Sequence, residues 1–359
     1  MINNSFFSTE ILRWFRENGR ELPWRETRDP YAIWLSEIIL QQTRIAQGWE
    51  YWERFMQTYP QVEDLAAASE DDVLKLWQGL GYYSRARNLH AAARQIVALG
   101  EFPNTLDGIK SLKGVGDYTA AAIGSFAFNL PAAVVDGNVY RVLSRYFGID
   151  TPINSTQGKK EFAALAQSLL PASEAAAYNQ GMMDFGAIQC TPQSPKCLLC
   201  PLAETCEALR NGRVEELPVK NKTVKVKTRH LSYVYIRYKA PALESQAEAE
   251  NHAETEKHAE AESWIAIHRR GEGDIWQGLW EPYNISDMKE LPSFVKDPIL
   301  LAKDVKHVLT HRILLADFYL LEVMERPSLP DDYIWIKESD IENYGVPRLI
   351  EIMLEKIHQ

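Results

Sequence analysis

Cysteine is scarce in this chain, and its few copies are confined to one short segment. Only Cys190, Cys197, Cys200 and Cys206 occur among the 359 residues, with the spacing C-x6-C-x2-C-x5-C. Residues 1–10 lack the basic start and the apolar stretch of a secretion signal. We therefore expect a reducing, cytoplasmic setting, in which structural disulfides are rare.

Thiols grouped in this way indicate a bound metal or an iron–sulfur cluster. Structural zinc sites usually contain two tight C-x2-C pairs, whereas only Cys197 and Cys200 form such a pair here. The uneven spacing, interrupted by Pro192, Pro195 and Pro201, favours a loop that wraps a [4Fe–4S] cluster. Zinc remains the alternative on these residues alone.

The chain also lacks long apolar runs and an excess of positive charge. No segment is apolar enough to predict a membrane span. The net charge is −10, but residues 226–359 hold 16 basic and 24 acidic side chains, so residues 1–225 carry only −2 of it. The overall charge therefore does not exclude a local basic groove that binds nucleic acid.

Helical periodicity dominates the first part of the chain, and strand-like alternation dominates the second. We predict an all-α domain over 1–217 with the cysteine loop at 190–206, a linker over 218–229, and an α+β domain over 230–359. The last contains an acidic, low-complexity insertion at 241–263. Its composition suits either a disordered segment or a solvated helix, and we favour disorder.

The longest helical pattern covers residues 31–59 and predicts one continuous helix. Further along the chain, Gly114-Val115-Gly116 precedes an alanine-rich helical pattern. Two glycines allow a tight turn, and the N–H groups at the start of the next helix suit a phosphate. A plain turn between two helices explains the same residues, so this signal alone is weak.

Two carboxyl residues are candidates for acid and anion roles. Asp136 starts the next predicted helix, where the helix N-terminus stabilises an ionised carboxylate. Glu37 has apolar neighbours one helical turn away, namely Ile33, Trp34 and Leu40, which should desolvate it and raise its pKa. One protonated and one ionised carboxyl suit glycosidic-bond cleavage. A helix cap and a structural hydrogen bond are the alternative explanations.

Several motifs together resemble one known family. They are L-P-W-R at 22–25, W-L-S-E-I-I-L-Q-Q-T at 34–43, G-L-G-Y-Y-S-R-A-R-N-L at 79–89 and V-V-D-G-N-V at 134–139. With the cysteine spacing they resemble the helix–hairpin–helix DNA glycosylases of the endonuclease III superfamily, and within it the adenine DNA glycosylase (MutY) family. The resemblance runs from about residue 7 to 206 and continues more weakly beyond.

The resemblance implies base excision repair of adenine mispaired with 8-oxoguanine or guanine in double-stranded DNA. The adenine would be flipped into a pocket. Glu37 would protonate its N7, and Asp136 would stabilise the sugar cation. Tyr118, Asn138 and Asp184 match supporting positions, and Asp184 stands where family members often carry glutamate. The cofactor implied is the [4Fe–4S] cluster, bound by the four cysteines.

The resemblance also implies the residues that contact DNA. Trp24, Arg25 and Leu40 match the adenine pocket, Gln42 and Tyr82 match residues that wedge into the duplex, and Gly114 and Gly116 match the phosphate-binding hairpin. No membrane partner is implied, and we expect a monomer.

Tyr118 separates the enzyme classes within this superfamily. Bifunctional relatives carry a lysine at this position, where its amine forms a Schiff base, and a phenol cannot do so. We therefore predict a monofunctional glycosylase that leaves an abasic site. A bifunctional enzyme of the endonuclease III type is one alternative, and a catalytically silent DNA-binding or redox-sensing protein is another. The pair Glu37 and Asp136 argues against the latter.

The second domain resembles the MutT-like (Nudix-like) domain of the family. No R-E-x-x-E-E run follows residues 278–281, so we do not expect a magnesium-dependent pyrophosphatase. Leu309, Thr310 and His311 align with the family's lesion-recognition loop and would contact the 8-oxoguanine base. A turn with an ordinary histidine is the alternative explanation.

Overall fold

The chain packs as two compact units. In the computed structural model the residues 4–221, 226–239, 262–288 and 290–358 are described, so most of the predicted acidic insertion lies outside the described residues. One unit comprises Met1–Ala68 and Asn88–Thr223, and the other Ser69–Arg87 and Val224–Gln359. The segment Ser69–Arg87 therefore packs with the second unit, although it lies far before the predicted linker in the sequence.

The first unit is built from helices. Those that lie in it, wholly or in part, are α1 (Asn4–Asn18), α2 (Pro30–Leu40), α3 (Ile45–Thr58), α4 (Val62–Ala67), α6 (Ser84–Leu99), α7 (Leu106–Lys110), α8 (Asp117–Phe128), α9 (Gly137–Phe147), α10 (Thr156–Leu169), α11 (Ala175–Asp184) and α12 (Glu207–Arg210), while α5 (Glu70–Leu76) belongs to the second unit. Within the described residues, no helix is long and apolar enough to span a membrane.

The predicted continuous helix over 31–59 is wrong, because the chain breaks between α2 and α3. Gln42 has a φ of 63°. A residue in this left-handed conformation cannot continue a right-handed helix. No glycine or proline marks the break, since residues 41–44 read Gln-Gln-Thr-Arg. Helix α2 therefore ends, and α3 begins, on either side of a segment that contains Gln42, a predicted DNA contact.

Two apolar clusters hold the first unit together. In the larger one, α1, α9, α10 and α11 bury large side chains such as Phe7, Leu143, Phe162 and Met182. In the smaller one, Ile33 of α2 packs with the alanines and Phe126 of α8. Small side chains on α8 allow close packing against α2, and this contact places Glu37 near Tyr118.

The second unit is organised by a seven-stranded sheet. Its strands are β1 (Lys227–Lys239), β2 (Ser263–Arg269), β3 (Trp280–Glu281), β4 (Tyr283–Asn284), β5 (Ile299–Leu309), β6 (Arg312–Val323) and β7 (Tyr333–Lys337), and α13 (Arg348–Ile357) follows. The strand order is β3-β2-β1-β6-β5, with β4 paired to β1 and β7 to β2. Strand β1 begins at Lys227, within the predicted linker.

Strand β1 lies at the centre of this sheet and is buried on both faces. It runs parallel to β6, with Lys227 opposite Arg312. Tyr233 and Tyr235 face a core that includes residues of α13, and Val234 and Ile236 face a second core on the other side. The predicted fold class, a helical domain followed by an α+β domain, is confirmed.

Candidate active site and nucleic-acid interface

The helix α2 carries Glu37 into the interior of the first unit. Asp29 caps the helix by accepting hydrogen bonds from the backbone N–H groups of Tyr31 (3.0 Å) and Ala32 (3.4 Å). Proline at the first helical position needs no such partner. Almost every residue of the helix is buried, and Glu37 is only 7% exposed. The desolvation predicted from its apolar neighbours is present.

The surroundings of Glu37 favour its protonated form. Burial raises the pKa of the Glu37 carboxyl to about 7. The hydrogen bond from the Tyr118 hydroxyl to Glu37 Oε2, at 3.3 Å, and the charge of Arg25 oppose this rise in pKa, while the charge of Asp136 adds to it. Near neutral pH, Glu37 is therefore able both to hold and to release a proton.

Asp136 is the N-cap residue of α9, as the sequence predicts. Its carboxylate accepts hydrogen bonds from the backbone N–H of Val139 (2.8 Å) and the side-chain amide of Asn138 (2.7 Å). Burial raises the pKa of Asp136 above its ordinary value, although these bonds and the charge of Arg141 oppose the rise. The two donors therefore hold the Asp136 carboxylate in place as a hydrogen-bond acceptor.

Arg141 links Asp136 to the cysteine segment, and sequence reasoning missed it. Its guanidinium donates to Asn138 Oδ1 at 2.8 Å, to the carbonyl of Gly186 at 2.7 Å and to the carbonyl of Cys190 at 2.7 Å. Arg141 lies one helical turn after Asn138, so the i,i+3 spacing was the available signal. The contact with Cys190 depends on tertiary structure and leaves no trace in local sequence.

Asp184 anchors two arginines. It is fully buried and pairs with Arg25, whose Nη1 and Nη2 donate at 2.8 and 2.9 Å, and with Arg20 through Nε at 2.9 Å. Burial acts to raise the pKa of Asp184, but the hydrogen bonds and charges of the two arginines outweigh it and lower the pKa. Asp184 thus fixes Arg25, whose charge acts on Glu37. Arg20 was not predicted.

The other residues predicted for the adenine pocket are Trp24 and Leu40. Arg25 and Trp24 share a short 3-10 turn after α1, and the Trp24 ring packs edge-on against Trp49 and Trp52. Leu40 ends α2 and is half-buried. Trp24 is only 6% exposed, so its ring is largely covered by other side chains of the first unit.

Both predicted wedge residues have left-handed backbones. Gln42 has a φ of 63° and Tyr82 a φ of 47°, and both side chains are exposed. Such conformations are costly for residues other than glycine and cluster at functional sites. Gln42 belongs to the first unit and Tyr82 to the second.

The predicted recognition residues form a tight turn in the second unit. Thr310 and His311 connect β5 to β6, with Leu309 paired to Arg312. The hydroxyl groups of Thr310 and Tyr82 are hydrogen-bonded. The turn lines a cavity of about 390 Å³ together with residues 80–84, Arg87 and residues 274–276.

The glycine hairpin lies between α7 and α8. Gly114 has a φ of +79°, and a Cβ there would lie 2.6 Å from Cβ of Asn88. Gly116 caps α8 with an extended backbone, and a Cβ there would meet nothing within 4 Å. Both glycines are exposed, and the first turn of a helix has N–H groups without intrahelical partners. The hairpin is therefore able to approach an anion.

Comparison with known proteins gives three family matches. Residues 35–171 match the "HhH-GPD superfamily base excision DNA repair protein" family, residues 190–206 the "iron-sulfur binding domain of endonuclease III", and residues 258–356 a "NUDIX domain". Among curated proteins, the adenine DNA glycosylase of Buchnera aphidicola subsp. Baizongia pistaciae is 30% identical over 98% of this chain and 96% of its own length. The chain belongs to the adenine DNA glycosylase family.

Two other relatives match a smaller share of the chain. The adenine DNA glycosylase of Buchnera aphidicola subsp. Acyrthosiphon pisum is 39% identical over 60% of this chain, and the match spans 62% of its own length, less than two thirds. A solved thermostable thymine-DNA glycosylase is 34% identical, with a TM-score of 0.54, and covers 58% of this chain and 97% of that one. The helical fold is therefore shared with a glycosylase named for a different base.

The cysteines fit the [4Fe–4S] cluster of this family. All four line one cavity with Arg145, Gln189 and Lys196 among its walls. Arg145 is buried, and its guanidinium donates to the Cys190 sulfur at 3.5 Å and to the carbonyl of Thr191 at 2.7 Å. Such donors suit the anionic sulfurs of a cluster. In the described part of the chain, no three His, Cys, Asp or Glu residues are arranged to hold a single metal ion.

The Nudix match concerns the fold of the second unit. Glu281, which follows Gly278-Leu279-Trp280, is buried and is already bound by three neighbours. His268 and Asn284 contact it at 3.0 Å each, and Arg270 forms an ion pair with it. This carboxylate therefore serves to join β2, β3 and β4.

The two hairpin glycines give a matched pair of variants. Gly114→Ala should lower the free energy of unfolding by about 1–3 kcal/mol, because the residue has a positive φ and no space for a Cβ. Gly116→Ala should lower stability by only about 0.5–1 kcal/mol, because alanine is a poorer N-cap than glycine, yet weaken duplex binding if the hairpin backbone contacts phosphate. Thermal melts and duplex titrations measure both effects. Equal losses of stability would contradict the assignment.

Because its pKa is raised, Glu37 should make the stability of the fold depend on pH. The folded state holds this proton more tightly than an ordinary glutamate, whose pKa is 4.5, so its stabilising effect is full below pH 4.5 and is lost as the pH rises through 7. Glu37→Gln should therefore gain up to about 3 kcal/mol relative to the wild type between pH 4 and pH 8. Denaturant unfolding at both pH values measures this.

Glu281→Gln is the matched control for that experiment. Burial acts to raise the pKa of Glu281, but His268, Arg270 and Asn284 outweigh it and lower the pKa. Ionised Glu281 therefore stabilises the fold above its ordinary pKa, and this stabilisation is lost as the pH falls. Glu281→Gln should therefore be less stable than the wild type at pH 8. Its change in stability relative to the wild type between pH 4 and pH 8 thus has the opposite sign to that of Glu37→Gln. The same sign for both variants would refute the role of burial at Glu37.

Proposed function

We propose that this chain is a monofunctional adenine DNA glycosylase of base excision repair, which removes adenine opposite 8-oxoguanine or guanine from double-stranded DNA. The observation that carries the proposal is the state of Glu37. It is a buried acid with a pKa of about 7, and it lies within the electrostatic reach of a second, half-buried carboxyl, Asp136. Two such groups are what cleavage of a glycosidic bond requires.

In the proposed reaction Glu37 donates its proton to N7 of the flipped adenine, which becomes a better leaving group. An acid is most effective when its pKa is near the working pH. Tyr118 keeps the carboxyl oriented through its hydrogen bond. Asp136, held by Val139 N–H and Asn138, offers negative charge to the positively charged sugar, and water completes the hydrolysis.

The proposed pocket for adenine is framed by Arg25, Trp24 and Leu40. Asp184 supports it indirectly, since its carboxylate is engaged by Arg20 and Arg25. In this role Asp184 holds the two arginines and does not contact the base itself. The short aspartate side chain suits such a supporting role. The bound cluster is proposed to shape the cysteine segment, which contacts Arg141 and so the Asp136 group.

The proposed contacts with DNA come from several loops. Gln42 and Tyr82 wedge into the duplex beside the flipped base, where an inserted side chain offsets part of the cost of unstacking. Gly114 and Gly116 present backbone N–H groups to a phosphate. Leu309, Thr310 and His311 contact the base opposite the adenine, in the cavity that Tyr82 also lines. The chain would act as a cytoplasmic monomer on the bacterial nucleoid.

Base release from defined duplexes tests the function. The wild type should release adenine opposite 8-oxoguanine and guanine, and should not release thymine opposite guanine. The single-turnover rate should fall about tenfold per pH unit above 7, because only protonated Glu37 is active. Glu37→Gln should abolish release while retaining duplex binding. Glu50→Gln, an exposed residue of α3, is the control. Unchanged turnover in Glu37→Gln would refute the assignment.

Tyr118 predicts the absence of a covalent amine intermediate. With borohydride present, the wild type should give little trapped protein–DNA adduct on an adenine-containing duplex, because a phenol forms no Schiff base. Product strands should break only after alkali treatment. Abundant adduct that persists in both Lys110→Ala and Lys113→Ala would contradict the monofunctional assignment. A trace that disappears in either variant would mark that lysine as the source of side activity.

A further inference from the structure

The turn between β5 and β6 lacks the backbone conformation that two-residue hairpins favour. In two-residue hairpins the favoured turns place at least one central residue at positive φ, because that twist matches the strands. Neither Thr310 nor His311 has a positive φ. A turn of this kind depends on contacts from outside the hairpin to keep one conformation.

Three contacts supply that support. The backbone N–H of Lys227, the first residue of β1, donates to the carbonyl of His311 at 3.3 Å. Tyr82 and Thr310 share a hydrogen bond between hydroxyl groups. Arg312, which directly follows the turn, forms an ion pair with Asp274 at 3.6 Å. Of these, only the last fixes the turn through charge.

Asp274 is itself firmly held. Arg229 of β1 donates to its two carboxylate oxygens at 2.7 and 2.6 Å, and Arg270 donates to Oδ2 at 2.8 Å. The backbone N–H of Ile275 donates to Oδ1 at 2.7 Å. One carboxylate therefore faces three guanidinium groups that come from β1, from the end of β2 and from the start of β6.

The loop that carries Asp274 also lines the cavity that contains the turn. Asp274, Ile275 and Trp276 form part of the wall together with residues 308–312. Trp276 has a left-handed backbone, with a φ of 63°, and its ring centre lies 6.1 Å from that of His307 on β5. The Arg270 guanidinium lies 5.8 Å from the centre of the same ring. The loop thus contacts the hairpin at two points, His307 on β5 and Arg312 on β6.

We propose that Asp274 is a positioning residue that holds the Thr310–His311 turn through Arg312 and thereby sets the preference for 8-oxoguanine over guanine opposite the adenine. This inference rests on the proposed function. The two lesion pairs differ by a few atoms on one base, so discrimination between them requires turn residues held to within a fraction of an ångström. A turn without its anchor would contact both bases less selectively.

The test compares two duplexes with the same enzyme. For the wild type and Asp274→Asn, adenine release opposite 8-oxoguanine and opposite guanine is measured at enzyme concentrations below saturation. The ratio of the two rates should fall about two- to fivefold in the variant, the size expected for loss of one partly exposed ion pair. A merely destabilised enzyme would lose both rates in equal proportion, and the ratio would stay constant.

Arg312→Gln approaches the same contact from the other side. Its ratio should fall as well, and the double variant should show no further fall beyond Asp274→Asn, because that change already removes the ion pair with Arg312. Glu322→Gln, also on β6 and paired with Arg237 and Lys239, is the control and should keep the wild-type ratio. Arg312 is 44% exposed, so its replacement tests the contact even if Asp274→Asn fails to fold.

The possible outcomes separate the two proposals. A wild-type enzyme that releases no adenine from either duplex overturns the proposed function and this inference with it. A wild-type preference that survives in Asp274→Asn, or in Arg312→Gln should the first variant not fold, overturns this inference alone. Additive effects in the double variant show that Asp274 acts by another route, and they overturn it as well.

Discussion

The burial of one carboxyl group, that of Glu37, is the constraint on which the helical unit depends. An ionised carboxylate placed among the apolar residues of α2 would cost several kcal/mol, so burial favours the proton. Burial alone would raise the pKa further than is useful, because an acid that never releases its proton cannot catalyse a transfer. Tyr118 and Arg25 act against burial and leave the pKa at about 7. The result is a group balanced between its two forms at neutral pH.

The pKa of Glu37 also depends on residues that position its charged neighbours. Arg25 brings a positive charge toward Glu37, and Asp184 fixes where that charge lies and partly neutralises it, while Arg20 pairs with the same carboxylate. On the other side, Asn138 and Arg141 connect Asp136 to the backbone of Cys190. The cysteine segment is thus tied by hydrogen bonds to the carboxyl group nearest the proposed sugar site. A cluster bound by that segment would therefore be linked to the surroundings of Asp136 through the carbonyl of Cys190.

Local patterns predicted what local interactions determine. The burial of Glu37 follows from neighbours one turn away, the cap at Asp136 from its place before a helix, and the cluster from cysteine spacing. The sequence could not predict Arg20 with Asp184 or Arg141 with Cys190, because these pairs are far apart in the chain and meet only through tertiary packing. The break at Gln42 was not predicted for a different reason. Apolar periodicity continues across it, and no glycine or proline marks it.

The second unit shows why net charge is a poor guide to local electrostatics. Residues 226–359 carry a charge of −8, which by itself disfavours contact with an anionic polymer. Yet beside the turn at Thr310 the unit gathers Arg229, Arg270 and Arg312 around Asp274, and Arg270 also pairs with Glu281. Positive groups therefore at least match negative ones there. A proposed DNA contact needs only this local balance, because charges farther away than about 10 Å are largely screened by salt.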